Sequence, residues 1–183
     1  EASYLITGGM GGLGLLVANW MVSKGAKHLV LLGRRSPDDA AIKKITELEV
    51  AGASVVVEKA DVSDGESMRG VWQRIEESNR PLGGVIHSAG MLSDGVLQNQ
   101  NWSSFERVMA PKVQGAWHLH QLSLNQSLDF FVLFSSAASL LGSSGQGNHS
   151  SANAFLDGLA HYRRTTVSYT HLRAHETSKH LVC

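Results

Sequence analysis

Three glycines at fixed spacing are the first residues in the chain that could do chemistry. Gly9, Gly11 and Gly14 follow the apolar stretch 4–6 and precede a segment with helical periodicity. Between a strand and a helix, the pattern G-x-G-x-x-G allows a tight turn, close approach of backbone N–H groups to a pyrophosphate, and close packing of helix on strand. The pattern predicts a dinucleotide-binding turn, and a glycine-rich turn without a ligand is the alternative.

Two arginines follow the second predicted strand, which ends in Gly33-Arg34-Arg35. Dinucleotide folds that use NAD usually carry an acidic residue here, which binds the ribose 2′-hydroxyl. A guanidinium suits a 2′-phosphate instead, because it donates charge-assisted hydrogen bonds in a fixed fork. The sequence therefore favours NADP(H) over NAD(H).

Alternating strands and helices must position these residues. Short apolar runs predict strands, and apolar residues at helical spacing predict helices between them. The pattern indicates right-handed βαβ crossovers and a parallel sheet covered on both faces, so the predicted fold class is α/β, a Rossmann-like doubly wound sheet. The predicted strands lie at 4–6, 28–32, 55–57, 85–86 and 130–134.

Four details of packing follow from the same patterns. Asp64 is predicted to cap the third helix. Pro111 is predicted to break or kink the helix that starts near Trp102. Trp102 and Trp117 are predicted to lie in the core. The first helix is predicted to bury one apolar face, made of Leu13, Leu16, Val17, Trp20 and Met21.

Composition excludes several classes of function. The chain has 183 residues, with sixteen basic and sixteen acidic side chains, so no long-range field favours nucleic acid or an anionic membrane. No apolar run reaches the roughly eighteen residues that span a bilayer, and a single cysteine, Cys183, suits a reducing compartment. We expect a soluble cytoplasmic protein without nucleic-acid or membrane partners, and no metal site.

Several spaced motifs resemble the short-chain dehydrogenase/reductase superfamily and, more narrowly, the ketoreductase domain of modular polyketide synthases. The likeness runs from Tyr4 to Arg164. Ketoreductases of fatty acid synthases are the nearest competing family. The motifs are Thr7-Gly8-Gly9-Met10-Gly11-Gly12-Leu13-Gly14, Asp61-Val62, His87-Ser88-Ala89-Gly90, Lys112-Val113-Gln114-Gly115-Ala116, Phe134-Ser135-Ser136, Gly145-Gln146-Gly147-Asn148 and the run from Ala152 to Asp157.

The resemblance implies NADPH as the cofactor. It places the glycine turn at the pyrophosphate, Arg34 at the 2′-phosphate, Asp61 and Val62 beside the adenine, and Ala89 and Gly90 near the nicotinamide-side ribose. From its residue type alone, Asp61 could instead cap the following turn. The implied cofactor-binding residues are Thr7, Gly8, Gly9, Met10, Gly11, Gly12, Leu13, Gly14, Arg34, Arg35, Asp61, Val62, Ser88, Ala89 and Gly90.

The resemblance also implies a catalytic group of four residues. Ser136, Asn153 and Lys112 occupy three of the family's places, and His149 stands where the family most commonly has tyrosine. On a helix, residues 149 and 153 share a face, so the imidazole can point where a phenol would. An imidazolium gives up a proton more readily than a phenol, but a nearby Lys112 ammonium disfavours the charged ring.

The implied reaction is the NADPH-dependent reduction of a β-ketoacyl thioester, held on an acyl carrier protein, within a polyketide synthase that contains other domains. Three outcomes stay open: His149 replaces the tyrosine, Ser136 acts slowly with water, or the domain binds NADPH without reduction. A structural ketoreductase-like domain, a fatty acid synthase ketoreductase and a free-standing reductase are the alternative functions. Leu92-Ser93-Asp94 resembles, with one change, the marker of members that deliver the D-configured hydroxyl, and turn chemistry explains it equally.

Residues 1–164 are predicted to form the domain, which is C-terminally truncated because one more strand and helix would normally extend such a sheet. Residues 165–183 are polar, with no clear apolar face. We expect them to be a disordered or unrelated tail.

Overall fold

Strands and helices alternate along residues 2–166, the part of the chain that the computed structural model describes. The five predicted strands are present; β1 to β4 extend beyond the apolar residues that predict them, and β5 ends one residue before the predicted end. The strands are β1 (Ser3–Thr7), β2 (His28–Gly33), β3 (Ser54–Lys59), β4 (Leu82–His87) and β5 (Phe130–Leu133). The helices are α1 (Gly12–Ser23), α2 (Asp39–Val50), α3 (Gly65–Glu77), α4 (Trp102–Leu122), α5 (Ala138–Leu141) and α6 (Gly147–Thr166).

The five strands form one parallel sheet in the order β3-β2-β1-β4-β5. The chain moves outward from β1 to β3 and then crosses back to β4 on the other side of β1. In such sheets, ligands bind outside the carboxyl ends of the strands at the point where the order reverses. The predicted doubly wound fold is confirmed, and the crevice beyond β1 and β4 is where a ligand is expected.

Two apolar clusters cover the two faces of the sheet. One packs α3, α4 and α6 against the sheet around Leu5, Val85 and Leu156. The other packs α1 and α2 around Ile6, Leu31 and Met21. Because both faces are covered, the central strands carry continuous apolar runs, which explains why they were predictable from short stretches.

The first helix buries only part of the predicted face. Its buried residues are Gly14, Ala18 and Met21, whereas Leu16 and Trp20 are 69% and 59% exposed. The glycine turn brings α1 so close to β1 that only small side chains fit between them. A Cβ on Gly14 would lie 2.3 Å from the carbonyl oxygen of Gly8. Leu16 and Trp20 are therefore turned away from the sheet, whereas Met21, further from the turn, is buried.

Other predictions about the helices have mixed outcomes. Asp64 caps α3 as predicted, accepting a hydrogen bond from the N–H of Glu66. The prediction of a break at Pro111 is wrong, since α4 continues through it as part of a helix that packs on α3 and α6. The tryptophans predicted to lie in the core are also misplaced: Trp102 is 73% exposed and Trp117 is 40% exposed.

The C-terminal helix continues past the predicted end of the domain. α6 ends at Thr166, two residues beyond position 164. The prediction of a disordered or unrelated tail falls almost entirely on residues 167–183, which lie outside the described residues. No helix within residues 2–166 is long and apolar enough to cross a membrane.

Candidate active site and cofactor cleft

A cleft of about 410 Å³ lies at the carboxyl ends of the central strands. It brings together residues from four separate motifs, which are far apart in the sequence. Predicted cofactor-binding residues that line it are Gly8, Met10, Gly11, Arg34, Arg35, Asp61, Val62, Ser88, Ala89 and Gly90. The sequence prediction of one nucleotide site is therefore consistent with the geometry.

The glycines of the turn fall into two groups. Gly8 and Gly11 line the cleft. Gly9 and Gly14 face protein instead, because a Cβ on Gly9 would lie 2.7 Å from the carbonyl oxygen of Ile6 and one on Gly14 would meet Gly8. Gly12 has open space around it. Two glycines thus shape the turn, while two others present backbone to the cleft.

Helix α1 begins at this turn, with Gly11 as its N-cap. The cap makes no side-chain hydrogen bond to the first turn of the helix. A helix start of this kind directs N–H groups and partial positive charge toward an anion. Thr7, Gly12 and Leu13 do not line the cleft, although Thr7 supports it from beneath, with its Oγ1 atom 2.7 Å from Nδ1 of His87.

The turn after β4 is pinned to the end of β1. Ser88 donates from its backbone N–H and from its hydroxyl to the carbonyl oxygen of Thr7, at 3.1 and 2.7 Å. Gly8 has φ +67°, and a Cβ there would lie 2.9 Å from backbone atoms of Ser88 and Ala89. Only glycine fits this combination of conformation and crowding.

The basic end of the cleft is open to solvent. The Arg34 guanidinium lies 3.9 Å from the Asp61 carboxylate, and both side chains are substantially exposed. Asp61 also accepts hydrogen bonds from the backbone and hydroxyl of Ser63. Asp61 therefore caps its turn, as the structural alternative predicted, while it also lines the cleft.

Lys112 lies on α4 with only 7% of its surface exposed. Its Nζ donates to the carbonyl oxygen of Phe134 at 2.9 Å. Burial lowers the pKa of Lys112 to about 8, and the Asp157 carboxylate partly opposes this shift. Gly90 leaves room for the lysine, because a Cβ there would lie 3.3 Å from Cε.

Ser136 and Asn153 lie on the two segments that follow β5. The Ser136 hydroxyl is half-buried and its Oγ accepts a hydrogen bond from the N–H of Ala138 at 3.2 Å. Asn153 is fully buried, and its Nδ2 donates to the carbonyl oxygen of His149 at 2.8 Å. Its Oδ1 has no hydrogen-bond partner among the described residues.

His149 lies in the first turn of α6, and its side chain is half-buried. Burial lowers the pKa of the imidazole, the Lys112 ammonium lowers it further, and Asp94 acts in the opposite direction. Within residues 2–166, its Nδ1 atom is buried without a hydrogen-bond partner. The ring is therefore mostly neutral at pH 7, and one of its nitrogens makes no hydrogen bond to the described residues.

Two residues near the site have a support role. His87 is fully buried at the end of β4, where it bonds to Thr7, and burial followed by the Lys112 charge lowers its pKa to about 3. His87 does not line the cleft. Asn148, which was not among the predicted site residues, is fully buried beside His149.

No cluster of metal-ligating side chains occurs in the described part of the chain.

Comparison with known proteins decides the family. The model of the KR domain family matches residues 2–171. The chain belongs to the KR domain family. A 6-methylsalicylic acid synthase of Arthrobotrys oligospora is 46% identical over 175 residues, covering 90% of this chain and 10% of that protein. A mycocerosic acid synthase-like polyketide synthase of Mycobacterium tuberculosis is 42% identical over 164 residues, covering 90% of this chain and 8% of the relative.

Solved structures agree with this assignment. A ketoreductase domain from the bacillaene assembly line superimposes on the KR domain with a TM-score of 0.87 at 38% identity, covering 90% of this chain and 40% of that one. A short-chain dehydrogenase from Mycobacterium avium superimposes with a TM-score of 0.79 at 25% identity, covering 92% of this chain and 65% of that one. The KR domain thus shares its fold with a ketoreductase domain and with a short-chain dehydrogenase.

The KR domain is a small part of the relatives that it matches. It spans about a tenth of the synthase from Arthrobotrys oligospora and less of the mycobacterial synthase. Its relatives are therefore domains of large multidomain polyketide synthases.

Proposed function

We propose that the parent protein uses NADPH to reduce a β-ketoacyl thioester carried on an acyl carrier protein of a polyketide synthase. One observation carries the proposal: Gly90 lines the nucleotide cleft and also leaves room for the buried Lys112 side chain. The cleft therefore reaches Lys112 at this glycine, and the Lys112 charge acts in turn on the His149 ring. A nicotinamide at this end of the cleft would face the group that handles the substrate oxygen.

The residues of the cleft fit a dinucleotide with a 2′-phosphate. The uncapped start of α1 would hold the pyrophosphate through backbone N–H groups of the glycine turn. Arg34 and Arg35 would bind the 2′-phosphate, with Asp61 and Val62 beside the adenine. When bound, the cofactor supplies the hydride that reaches the β-carbon of the substrate.

Residues of the chain supply the proton and stabilise the developing oxyanion. The Ser136 hydroxyl donates a hydrogen bond to the substrate oxygen, and His149 donates the proton that completes the alcohol. The Lys112 ammonium stabilises negative charge on the oxygen while it disfavours a second positive charge on the imidazole. Because the pKa of His149 is lowered, the proton-donating imidazolium becomes abundant only at a pH below the usual range of an imidazole.

This chemistry predicts a characteristic pH dependence. Turnover should fall as the pH rises through the lowered pKa of His149, since the acid form is lost above it. His149→Tyr restores a phenol whose ordinary pKa is about 10, so its turnover should remain high to more alkaline pH. His149→Phe should lower turnover about 10²- to 10⁴-fold, which is the usual loss of a positioned acid.

The test uses the full parent protein, NADPH and a β-ketoacyl thioester of a small thiol. NADPH oxidation is followed by absorbance, NADPH binding is followed separately by fluorescence, and exposed His161→Phe serves as the matched control. Equal turnover of His149→Phe and the control would remove His149 from the reaction.

A silent cofactor-binding domain is the second candidate function. The histidine in place of tyrosine favours it, since the neutral form of a ring with a lowered pKa is a weak acid. NADPH binding without thioester reduction in the wild type, with turnover restored in His149→Tyr, would establish this second function instead.

A further inference from the structure

A buried asparagine joins three segments of the chain beside His149. Asn148 lies in the first turn of α6 and has no exposed surface. Its Nδ2 donates to the carbonyl oxygens of Ser93 at 2.8 Å and Ser104 at 3.4 Å. Its Oδ1 accepts from the backbone N–H of His149 at 2.7 Å. Donor and acceptor ends of the amide are therefore both used.

The two carbonyl groups lie on elements that frame the site. Ser93 belongs to the loop after β4, next to Asp94, whose charge acts on the His149 ring. Ser104 belongs to the first turn of α4, the helix that carries Lys112. Asn148 thus connects the backbone at His149 with the loop beside its ring and with the helix of the lysine.

Nearby hydrogen bonds reinforce the same contact between loops. The N–H of Gly95 donates to the carbonyl oxygen of Gly145 at 2.8 Å, and Nε2 of Gln100 reaches the carbonyl oxygens of both glycines. These bonds hold the segment before α6 against the loop after β4. The Asn148 amide extends the connection to the backbone N–H of residue 149.

We propose that Asn148 is a positioning residue for the reduction and fixes where the His149 side chain stands relative to the substrate. This inference rests on the proposed function. An imidazole is shorter than a phenol, so the placement of its backbone decides whether the ring reaches the substrate oxygen. A displacement of about 1 Å can cost roughly 10²-fold in rate when a reacting group is moved.

Asn148→Asp tests the donor end of the amide separately from its acceptor end. A carboxylate keeps an acceptor for the N–H of His149, but it loses both hydrogen bonds to the carbonyl oxygens and repels them instead. Protonation restores one O–H donor. Since burial raises the pKa of a carboxyl group, this protonation should occur at moderately acidic pH.

Asn101→Asp is the matched control. Asn101 caps α4 through its Oδ1 alone, which accepts from the N–H of Ser104 at 2.9 Å. An aspartate makes the same cap, so the identical chemical change should be harmless there.

The experiment measures kcat and KM for thioester reduction and the Kd for NADPH in the full parent protein, at several pH values. Relative to wild type, Asn148→Asp should lower kcat about 10-fold or more above neutral pH, because it removes the two hydrogen bonds through which the Asn148 amide holds the loop after β4 and helix α4. The ratio should recover toward one as the pH falls through the raised pKa of the buried carboxyl group. The Kd for NADPH should stay within about twofold, because Asn148 does not line the cofactor cleft.

Two results would overturn the inference. Turnover of Asn148→Asp equal to that of Asn101→Asp at every pH would show that the amide positions nothing. A parallel loss of turnover and NADPH binding, with no recovery at low pH, would assign Asn148 a general structural role.

Hydrogen exchange distinguishes failure of this inference from failure of the proposed function. If the wild type binds NADPH but reduces no thioester, the proposed function fails, and amide exchange still tests the connection. Faster exchange at residues 91–95 and 147–150 in Asn148→Asp than in Asn101→Asp supports the connection, and equal exchange overturns it.

Discussion

Replacing Gly14 with alanine tests whether the glycine turn is shaped by contact between backbones. The new Cβ would lie 2.3 Å from the carbonyl oxygen of Gly8 and 2.6 Å from Cα of Gly9. Both neighbours are backbone atoms of the same turn, so neither can rotate away. The helix must move outward by about 1 Å to reach ordinary contact distance.

The cost follows from two opposing effects. Overpacking of this kind destabilises by about 1–3 kcal/mol, and alanine regains about 0.5–1 kcal/mol of helix propensity over glycine. A backbone contact this short lies at the upper end of the first range, so we expect a net loss of about 2 kcal/mol. For a domain of this size, that corresponds to a melting temperature lower by about 4–8 °C.

Gly12→Ala provides the control, because Gly12 also lies in the first turn of α1 and has no neighbour within 4 Å. It should leave the melting temperature unchanged or slightly raised. We also expect Gly14→Ala to raise the Kd for NADPH about tenfold, equivalent to about 1.4 kcal/mol, since the turn is displaced from the pyrophosphate. Calorimetry and fluorescence titration measure the two effects. A Gly14→Ala variant as stable as Gly12→Ala would refute the packing explanation.

Two further predictions concern charge. Arg34→Ser should weaken NADPH binding about 10- to 100-fold, which is the usual contribution of a charge-assisted hydrogen bond. The same change should leave NADH binding unchanged. Similar losses of affinity for both cofactors in titrations would contradict a 2′-phosphate contact. His87 has its pKa lowered to about 3 in the folded protein, so its contribution to stability is present above about pH 6.5 and is lost as the pH falls toward 3. His87→Asn should remove about 3 kcal/mol of the difference in the free energy of unfolding between pH 7 and pH 4.5. Urea unfolding measures this difference, with the exposed His161→Asn as the control. Equal pH dependence in both variants would contradict the burial of a neutral ring.

The alternation of strands and helices was predictable because it depends on local patterns. Five short apolar runs mark five parallel strands, and the residues between them carry helical periodicity. Packing of a helix on the sheet was less predictable. In α1, the apolar residues Leu16 and Trp20 face outward because the turn requires the small residues Gly14 and Ala18 against β1. The apolar pattern alone does not indicate how closely the helix packs on the strand.

The candidate site was partly predictable for a similar reason. Motif residues such as Gly11 and Arg34 meet in one cleft because each follows a strand whose carboxyl end lies at the same edge of the sheet. The role of Asn148 was missed because its partners are 44 and 55 residues away. A signal for it exists in the sequence: Asn148 is aligned with the buried residues Ala152 and Leu156 at helical spacing. A polar residue on such an apolar face indicates a buried amide whose hydrogen bonds are made.

The cleft has two ends with different freedom to vary during evolution. At the glycine turn, Gly8 and Gly14 bring backbone directly against backbone, so almost any mutation there disturbs the surrounding structure. At the other end, Arg34 and Asp61 project from solvent-exposed loops with few packing constraints. Under the proposed function, descendants of such a domain would exchange one coenzyme preference for another through loop mutations, while the glycine turn stays unaltered. An engineer seeking a different electron donor would start with those loops.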